Sequence, residues 1–359
     1  MTIPLPQAPR AIAVVKLSAI GDVCHALPVV RTLQRHWPEA RFTWLIGRAE
    51  AALIGRIPEI EFIVYDKRAG VAGLAAARRA LGGRRFDLLL HMQFALRASL
   101  AASLVRSPVK LGYDRERALD LQWLFTTHRI EPAPREHVMD GLFGFARALG
   151  VSGREYRWDI PVPDEALEHA ARAIPVGAPT LIVSPCSSHP LRNWRAEHYA
   201  RVADHAAREL GLKVLLCGGA SEPERRMGAE IVQRMREPAA NLVGRDTLIG
   251  FHATLGRAWA LLTPDSGPAH MATATGVPVI GLYAATRSAR SGPYFSRQWC
   301  VDRFDAAARK FLGCGADELP WRTKIERPGV MDLIEPEAVI ERLGALAAQR
   351  AAERTAGSA

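Results

Sequence analysis

The sequence predicts an α/β chain built from two doubly wound domains. Three observations carry that prediction. The 359 residues give room for two domains of ordinary size. Short, wholly apolar runs alternate with amphipathic helical stretches, as parallel strands buried on both faces alternate with crossover helices. The alternation halts at a proline-rich stretch, "WDIPVPDEALEHAARAIPVGAP" from Trp158 to Pro179, and then restarts.

In the first half the strand candidates are "AIAVVKL" (Ala11 to Leu17), "RFTWLI" (Arg41 to Ile46), "EFIVYD" (Glu61 to Asp66), "FDLLLHMQ" (Phe86 to Gln93) and "PVKLGY" (Pro108 to Tyr113). Stretches such as "GLAAARRAL" lie between them. After the break come "TLIVSP", a helix from about Arg195, "KVLLCGG", a helix from about Glu222, "NLVG", a short helix, "AWALLTP" and "VPVIGLYA". The boundaries drawn from this pattern are a first domain over 1–165 and a second over 176–335. A C-terminal helix over 336–350 is expected to pack back on the first domain, with a frayed tail after it.

The apolar fraction of 48% supports full cores, and no apolar run has the length of a membrane span. The start, "MTIPLPQAPR", lacks the basic and apolar regions of a secretory signal. A cytoplasmic protein is therefore expected. Five scattered cysteines with no Cys-x-x-Cys pair fit reduced thiols rather than a disulfide framework. The net charge of +10 favours anionic partners. The charge is spread along the chain with no nucleic-acid-binding signature, so no nucleic-acid partner is expected.

Ligands of open parallel sheets bind beyond the C-terminal strand ends, and the chemistry-bearing residues cluster there. After "AWALLTP" come Asp265, Ser266, Gly267, Pro268 and His270. Pro268 suits a first helical turn, and Gly267 allows close backbone approach. The helix mouth would favour a phosphate or diphosphate, and Asp265 would accept from sugar hydroxyls. Otherwise Asp265 or Ser266 is a plain N-cap and His270 a core residue. "SPCSSHPLRNW" offers the Ser187 and Ser188 hydroxyls and the Arg192 fork, which suits phosphate oxygens or else points into solvent. "CGGASEPER" follows the next strand with carboxylates that would suit a ribose, although helix N-termini attract acids anyway. In the first half, "VVKLSAIGDVCHALP" passes Lys16 and Ser18 before Gly21 and Asp22 open a helix. It is not a Walker A loop. Asp22 is either an N-cap or a general base, with His25 one turn along.

Taken together, "KLSAIGDVCHALP" and "DSGPAHMATATGVPVIGLYAAT" resemble glycosyltransferase family 9, the ADP-heptose:lipopolysaccharide heptosyltransferases. The likeness runs over nearly the whole chain. The wording of the first block is closer to the heptosyltransferase I type, which adds the first heptose to Kdo. The resemblance implies the GT-B architecture, two Rossmann-like domains facing a central cleft. It implies an inverting, metal-independent transfer from ADP-heptose to the Kdo/inner-core region, with Asp22 as the catalytic base. It puts the donor on Ser187, Ser188, Arg192, Glu222, Asp265, Ser266, Gly267 and His270. Lys16, Ser18, His25, Arg117 and His137 become candidates for a phosphorylated Kdo-lipid A acceptor. ADP-heptose is the substrate; no cofactor and no metal are expected. The enzyme is expected to be a monomer, held peripherally at the cytoplasmic face of the inner membrane by its lipid acceptor.

The chain also departs from the family. Ser187, Ser188 and Arg192 stand where heptosyltransferase I usually has Thr-Thr and Lys. His91 replaces an acid before Gln93. The segment Cys300 to Leu333 is longer than the family pattern. Three other readings stay open: a family 9 enzyme with a later core heptose or a protein as acceptor, a sugar-nucleotide 2-epimerase of the same fold, and a carbohydrate-binding protein without catalysis.

Overall fold

The computed structural model describes residues 3, 5 and 7–357. The chain divides into two compact units, Met1–Pro161 and Val162–Ala359. The first contains β1 (Ala11–Val15), α1 (Ile20–His36), β2 (Arg41–Gly47), α2 (Arg48–Ile54), β3 (Ile60–Tyr65), α3 (Gly70–Leu81), β4 (Leu88–His91), α4 (Leu96–Ser103), β5 (Val109–Gly112), β6 (His128–Arg129) and α5 (Val138–Ala148). Its strands form one parallel sheet in the order β3-β2-β1-β4-β5-β6.

The second unit opens with α6 (Asp164–Ala173). It continues through β7 (Thr180–Val183), α7 (Ala196–Leu210), β8 (Lys213–Leu216), α8 (Glu222–Arg234), β9 (Ala239–Asn241), α9 (Leu248–Leu255), β10 (Ala260–Pro264), α10 (Gly267–Thr275) and β11 (Val279–Tyr283). It closes with α11 (Ser288–Ser291), β12 (Val301–Asp302), α12 (Phe304–Leu312) and α13 (Pro336–Gly357). The second sheet runs β12-β11-β10-β7-β8-β9 and is also parallel throughout. Each unit thus repeats the doubly wound order in which the first and fourth strands lie side by side. The order reverses between β1 and β4, and again between β7 and β10.

The strands form where the sequence is apolar on both faces. β1, β4, β7 and β10 are almost wholly buried, and their side chains meet helices above and below. Ala13, Val15, Leu45 and Leu89 pack with Ala98 and Ala102 of α4 in the first unit. Leu181, Val214, Leu262 and Ile280 pack with Tyr199 and Ala203 of α7 in the second.

Four expectations change. The helix at 164–173 belongs to the second unit, because Ala166 and Ala170 bury against Ala253 of α9. The third strand of the second sheet is Ala239–Asn241, which "NLVG" overlaps only at Asn241; Leu242 N still bonds the Leu216 carbonyl of β8 before the chain turns at 243–245. The last helix seats Val339, Leu343 and Leu346 in the core of the second unit, where the sequence reading sends it back to the first. Its Ala-, Glu- and Arg-rich end stays helical to Gly357 instead of fraying at Ala351.

Candidate functional site

In the first unit the chain leaves β1 through Lys16 to Ala19 and enters α1. The N-cap is Ala19, so Asp22 is not the cap; it lies in the first turn of the helix, where a carboxylate is favoured. Lys16 is buried, yet its Nζ reaches Asp22 Oδ2 at 2.8 Å, while the Asp22 side chain keeps 41% of its surface open. A buried ammonium without a counter-charge would be costly, so the two hold each other in place. Gln93, just past β4, braces the loop. Its Oε1 accepts from Leu17 N at 2.5 Å and Ser18 N at 3.2 Å, and its Nε2 donates to Ser18 Oγ at 3.1 Å. Gln122 braces Gln93 in turn, donating from Nε2 to the carbonyls of His91 and Gln93.

Lys16, Ser18 and Asp22 therefore come together. His25 is buried in α1, with its ring edge-on to His137 at 5.5 Å. His137 caps α5, its Nδ1 accepting from Met139 N at 3.1 Å. Arg117 bonds Asp114 and the Glu131 carbonyl and faces Glu136, bracing the loop 114–136. His91, where the family pattern has an acid, is fully buried with Nε2 3.0 Å from Ser99 Oγ. Burial, reinforced by the charges of Lys16 and Lys110, pushes its pKa down to about 3.

In the second unit the loops after β7 and β10 meet at the point of strand reversal. Ser187 Oγ donates to the Asp265 carbonyl at 2.8 Å, and Thr263 Oγ1 to the Ser184 carbonyl at 2.8 Å. Ser266 is the N-cap of α10. Its hydroxyl turns to Thr263 Oγ1 at 2.9 Å and makes no capping bond to α10. Gly267 opens that helix, and His270 is buried one turn in. Ser188 is exposed at the rim. Trp194, buried with its Nε1 on the Ile334 carbonyl at 3.0 Å, anchors the loop that carries Arg192.

Arg192 is held from two sides. Its Nε and Nη2 both donate to Glu326 Oε1, at 2.9 and 2.7 Å, and its Nη1 lies 3.7 Å from Asp265 Oδ2. Burial would raise the Glu326 carboxyl. The hydrogen bond and charge of Arg192, helped by His189 and Lys324, hold it below the usual carboxylate range instead. Ser291 Oγ approaches Asp265 Oδ2 at 3.4 Å. Glu222 is exposed at the start of α8 and faces Arg226, while Glu224 folds back onto Gly219 N and Ser221 Oγ.

The sequence reading misses Glu326, Gln93, Gln122 and Ser291. Glu326 comes from the long segment 300–333, pinned next to buried Ile325, whose N–H bonds the Ala285 carbonyl. No local pattern marks an acid 134 residues from its arginine. The glutamines carry no charge signal; only their place after the fourth strand and in a turn could have drawn notice. Among the described residues no group of three or more His, Cys, Asp or Glu is gathered as a metal site would need.

The family model described as glycosyltransferase family 9 (heptosyltransferase) matches residues 74–314. The lipopolysaccharide core heptosyltransferase OpsX of Haemophilus influenzae is 35% identical over 337 residues, covering 94% of this chain and 97% of the relative. Lipopolysaccharide heptosyltransferase 1 of Escherichia coli K12 is 24% identical over 302 residues, 80% of this chain and 92% of that one. Among solved structures, a family 9 glycosyltransferase of Veillonella parvula matches with a TM-score of 0.77 at 23% identity, covering 95% of this chain and 97% of that one. The E. coli heptosyltransferase WaaC with ADP matches at 0.69 and 20% identity, covering 94% and 99%. The expected GT-B class, two Rossmann-like domains in one chain, holds.

Proposed function

The chain belongs to glycosyltransferase family 9, the heptosyltransferases, and from that premise we propose that it transfers heptose from ADP-heptose to the Kdo/inner-core region of lipopolysaccharide, with inversion and without a metal ion. The observation that carries this reading is the loop pair at the second unit's strand reversal. An uncapped helix mouth, a guanidinium and a carboxylate stand together there. This is the equipment for a sugar joined to a diphosphate: donors for the phosphates and an acceptor for sugar hydroxyls.

Asp22 is the base of this mechanism. The acceptor hydroxyl gives its proton to the carboxylate as its oxygen bonds to the anomeric carbon, and the bond from that carbon to the ADP oxygen breaks. Lys16 holds the carboxylate in place. Negative charge gathers on the departing diphosphate, where Arg192, Ser187, Ser188 and the N–H groups at the mouth of α10 stabilise it. In this reading Glu222 binds the ribose and Asp265 the heptose. Lys16, Ser18, His25, His137 and Arg117 are its acceptor-side residues; the rings of His25 and His137 meet edge-on at 5.5 Å, and Arg117 orders its own loop through the Glu131 carbonyl. The core acceptor is supported by the names of the relatives, OpsX above all.

The test is incubation with ADP-heptose and a panel of truncated lipopolysaccharides, with and without EDTA. Acceptors ending in Kdo should gain the mass of one heptose and release one ADP for each transfer, equally in EDTA. Isomerisation of the nucleotide sugar without any acceptor would turn the reading to an epimerase. Activity lost in EDTA and restored by magnesium would overturn the metal-free mechanism.

A further inference from the structure

Two neighbouring segments of the first unit show large apolar side chains to solvent. Leu96 and Leu100 of α4, and Leu119, Leu121, Trp123 and Leu124 in the turn after β5, are each between 41% and 60% exposed. They form one surface: α4 packs on the helical turn Gln122–Phe125, and Leu96 N donates to Asp120 Oδ2 at 3.2 Å. A contiguous exposed apolar patch marks an interaction site in a way that single leucines do not.

The turn is firmly built. Gln122 is fully buried and spends its amide on the His91 and Gln93 carbonyls and on Tyr113 N. On either side the apolar side chains point outward. Asp120 and Leu121 have φ of 49° and 58°, in the left-handed region. A turn that served only to reverse the chain would put glycine or asparagine there, since leucine is strained in that region. The strain goes into presenting Leu121 to solvent.

Exposed arginines flank the patch: Arg97 next to Leu96, Arg115 before Leu119 and Arg129 after Phe125. No salt bridge within 4 Å joins any of the three to an acid among the described residues, although the charge of Arg97 does act on the buried Glu50 carboxyl. Of the acids in these stretches, Asp120 accepts from Leu96 N, Asp114 pairs with Arg117, and Glu116 is exposed beside Arg115, which leaves the arginines in excess. The turn also lies at the same end of the sheet as Asp22, because Gln93 holds the Ser18 loop with its side chain and Gln122 with its carbonyl.

We propose that this surface docks the first unit on an anionic lipid bilayer. The leucines and Trp123 enter the boundary between headgroups and acyl chains, and the arginines pair with lipid phosphates. A phospholipid surface matches both the apolar tips and the cationic rim, with the acyl boundary for the leucines and Trp123 and phosphates for the guanidinium groups. The proposal deepens the reading of a lipid-linked acceptor. It is measured without either substrate, so the two stand or fall separately.

The full chain is sedimented with phosphatidylcholine vesicles, with and without phosphatidylglycerol. The parent should pellet with the anionic vesicles and come off in high salt. The triple variant Leu121→Ser, Trp123→Ser, Leu124→Ser should bind about tenfold more weakly or worse. Arg97→Ser with Arg115→Ser should lose the preference for phosphatidylglycerol. Brominated lipid should quench part of the tryptophan emission, and that part should vanish in Trp123→Phe. The thermal transition of the first unit, which carries every substituted residue, verifies in each variant that its fold is intact. Absence of vesicle binding by the parent would overturn the proposal, as would unchanged binding by the triple variant. So would a self-association that the triple variant abolishes while no vesicle binding occurs, since a second copy would then be the occupant. A parent that binds vesicles but transfers no heptose keeps the docking surface and removes the proposed activity.

Discussion

Asp22 and Arg192 show how a short sequence block becomes chemistry, and how far its reading reaches. A Gly-Asp at a strand end suggests either a cap or a base; the 2.8 Å bond from buried Lys16, with Ala19 as the cap, removes the first option. Asp22→Asn should therefore lower turnover by about 10²- to 10⁴-fold and leave ADP affinity unchanged. Steady-state kinetics beside calorimetry would decide it, and near-parental turnover would take Asp22 out of the chemistry. Arg192 was legible as a cation, but its partner was not. Glu326 grips the Nε/Nη2 edge and leaves the remaining donors for phosphate. Two substitutions should act in opposite directions. Glu326→Gln keeps an acceptor and removes a charge near the diphosphate, so ADP should bind more tightly, by about 1 kcal/mol at an effective dielectric between protein and water. Glu326→Ala frees the guanidinium, and ADP should bind more weakly. Losses of equal size in both would mean that the ligand does not feel the charge of Glu326.

At the scale of elements, the strands buried on both faces were the readable ones. β1, β4, β7 and β10 announce themselves as apolar runs, and their following loops hold most of the site. β6 and β12 have two residues each and carry no periodic signal. β9 is Ala-rich, and the more apolar "LVG" beside it misled the placement. α13 was visible as a helix, but its apolar stripe does not say which core it joins. His91 also belongs to this scale, since β4 and α4 enclose it. Folded, it stays neutral down to about pH 3, whereas unfolded it takes a proton near the ordinary value of 6.5. The unfolded chain thus binds more protons in that window. The stability owed to neutral His91 is whole above pH 6.5 and is lost as pH falls from there towards 3. Between pH 6.5 and 5.5 the parent should lose about 1 kcal/mol that His91→Gln does not lose. Urea unfolding of both chains at the two pH values measures this, and parallel slopes would refute it.

At the scale of the whole molecule, each unit closes its own six-stranded sheet, in the same order and around its own core. They differ in where the last piece comes from. The second core is completed by Val339, Leu343 and Leu346, all but fully buried. Their burial stabilises by roughly 5 to 9 kcal/mol, on the order of a domain's entire net stability. A chain stopped after Glu335 should show one thermal transition where the parent shows two, become protease-sensitive beyond about residue 162, and lose ADP binding. Retention of ADP affinity by that shortened chain would make the helix dispensable. The same helix also sets a timetable. During synthesis the first sheet has all its strands by Arg129 and can close while the rest of the chain is still emerging. The second sheet has all its strands by Asp302 but must wait for the stripe that begins at Val339. For those seconds of elongation the nascent chain carries a finished half beside an unfinished one with its apolar floor open, the species that a chaperone would meet.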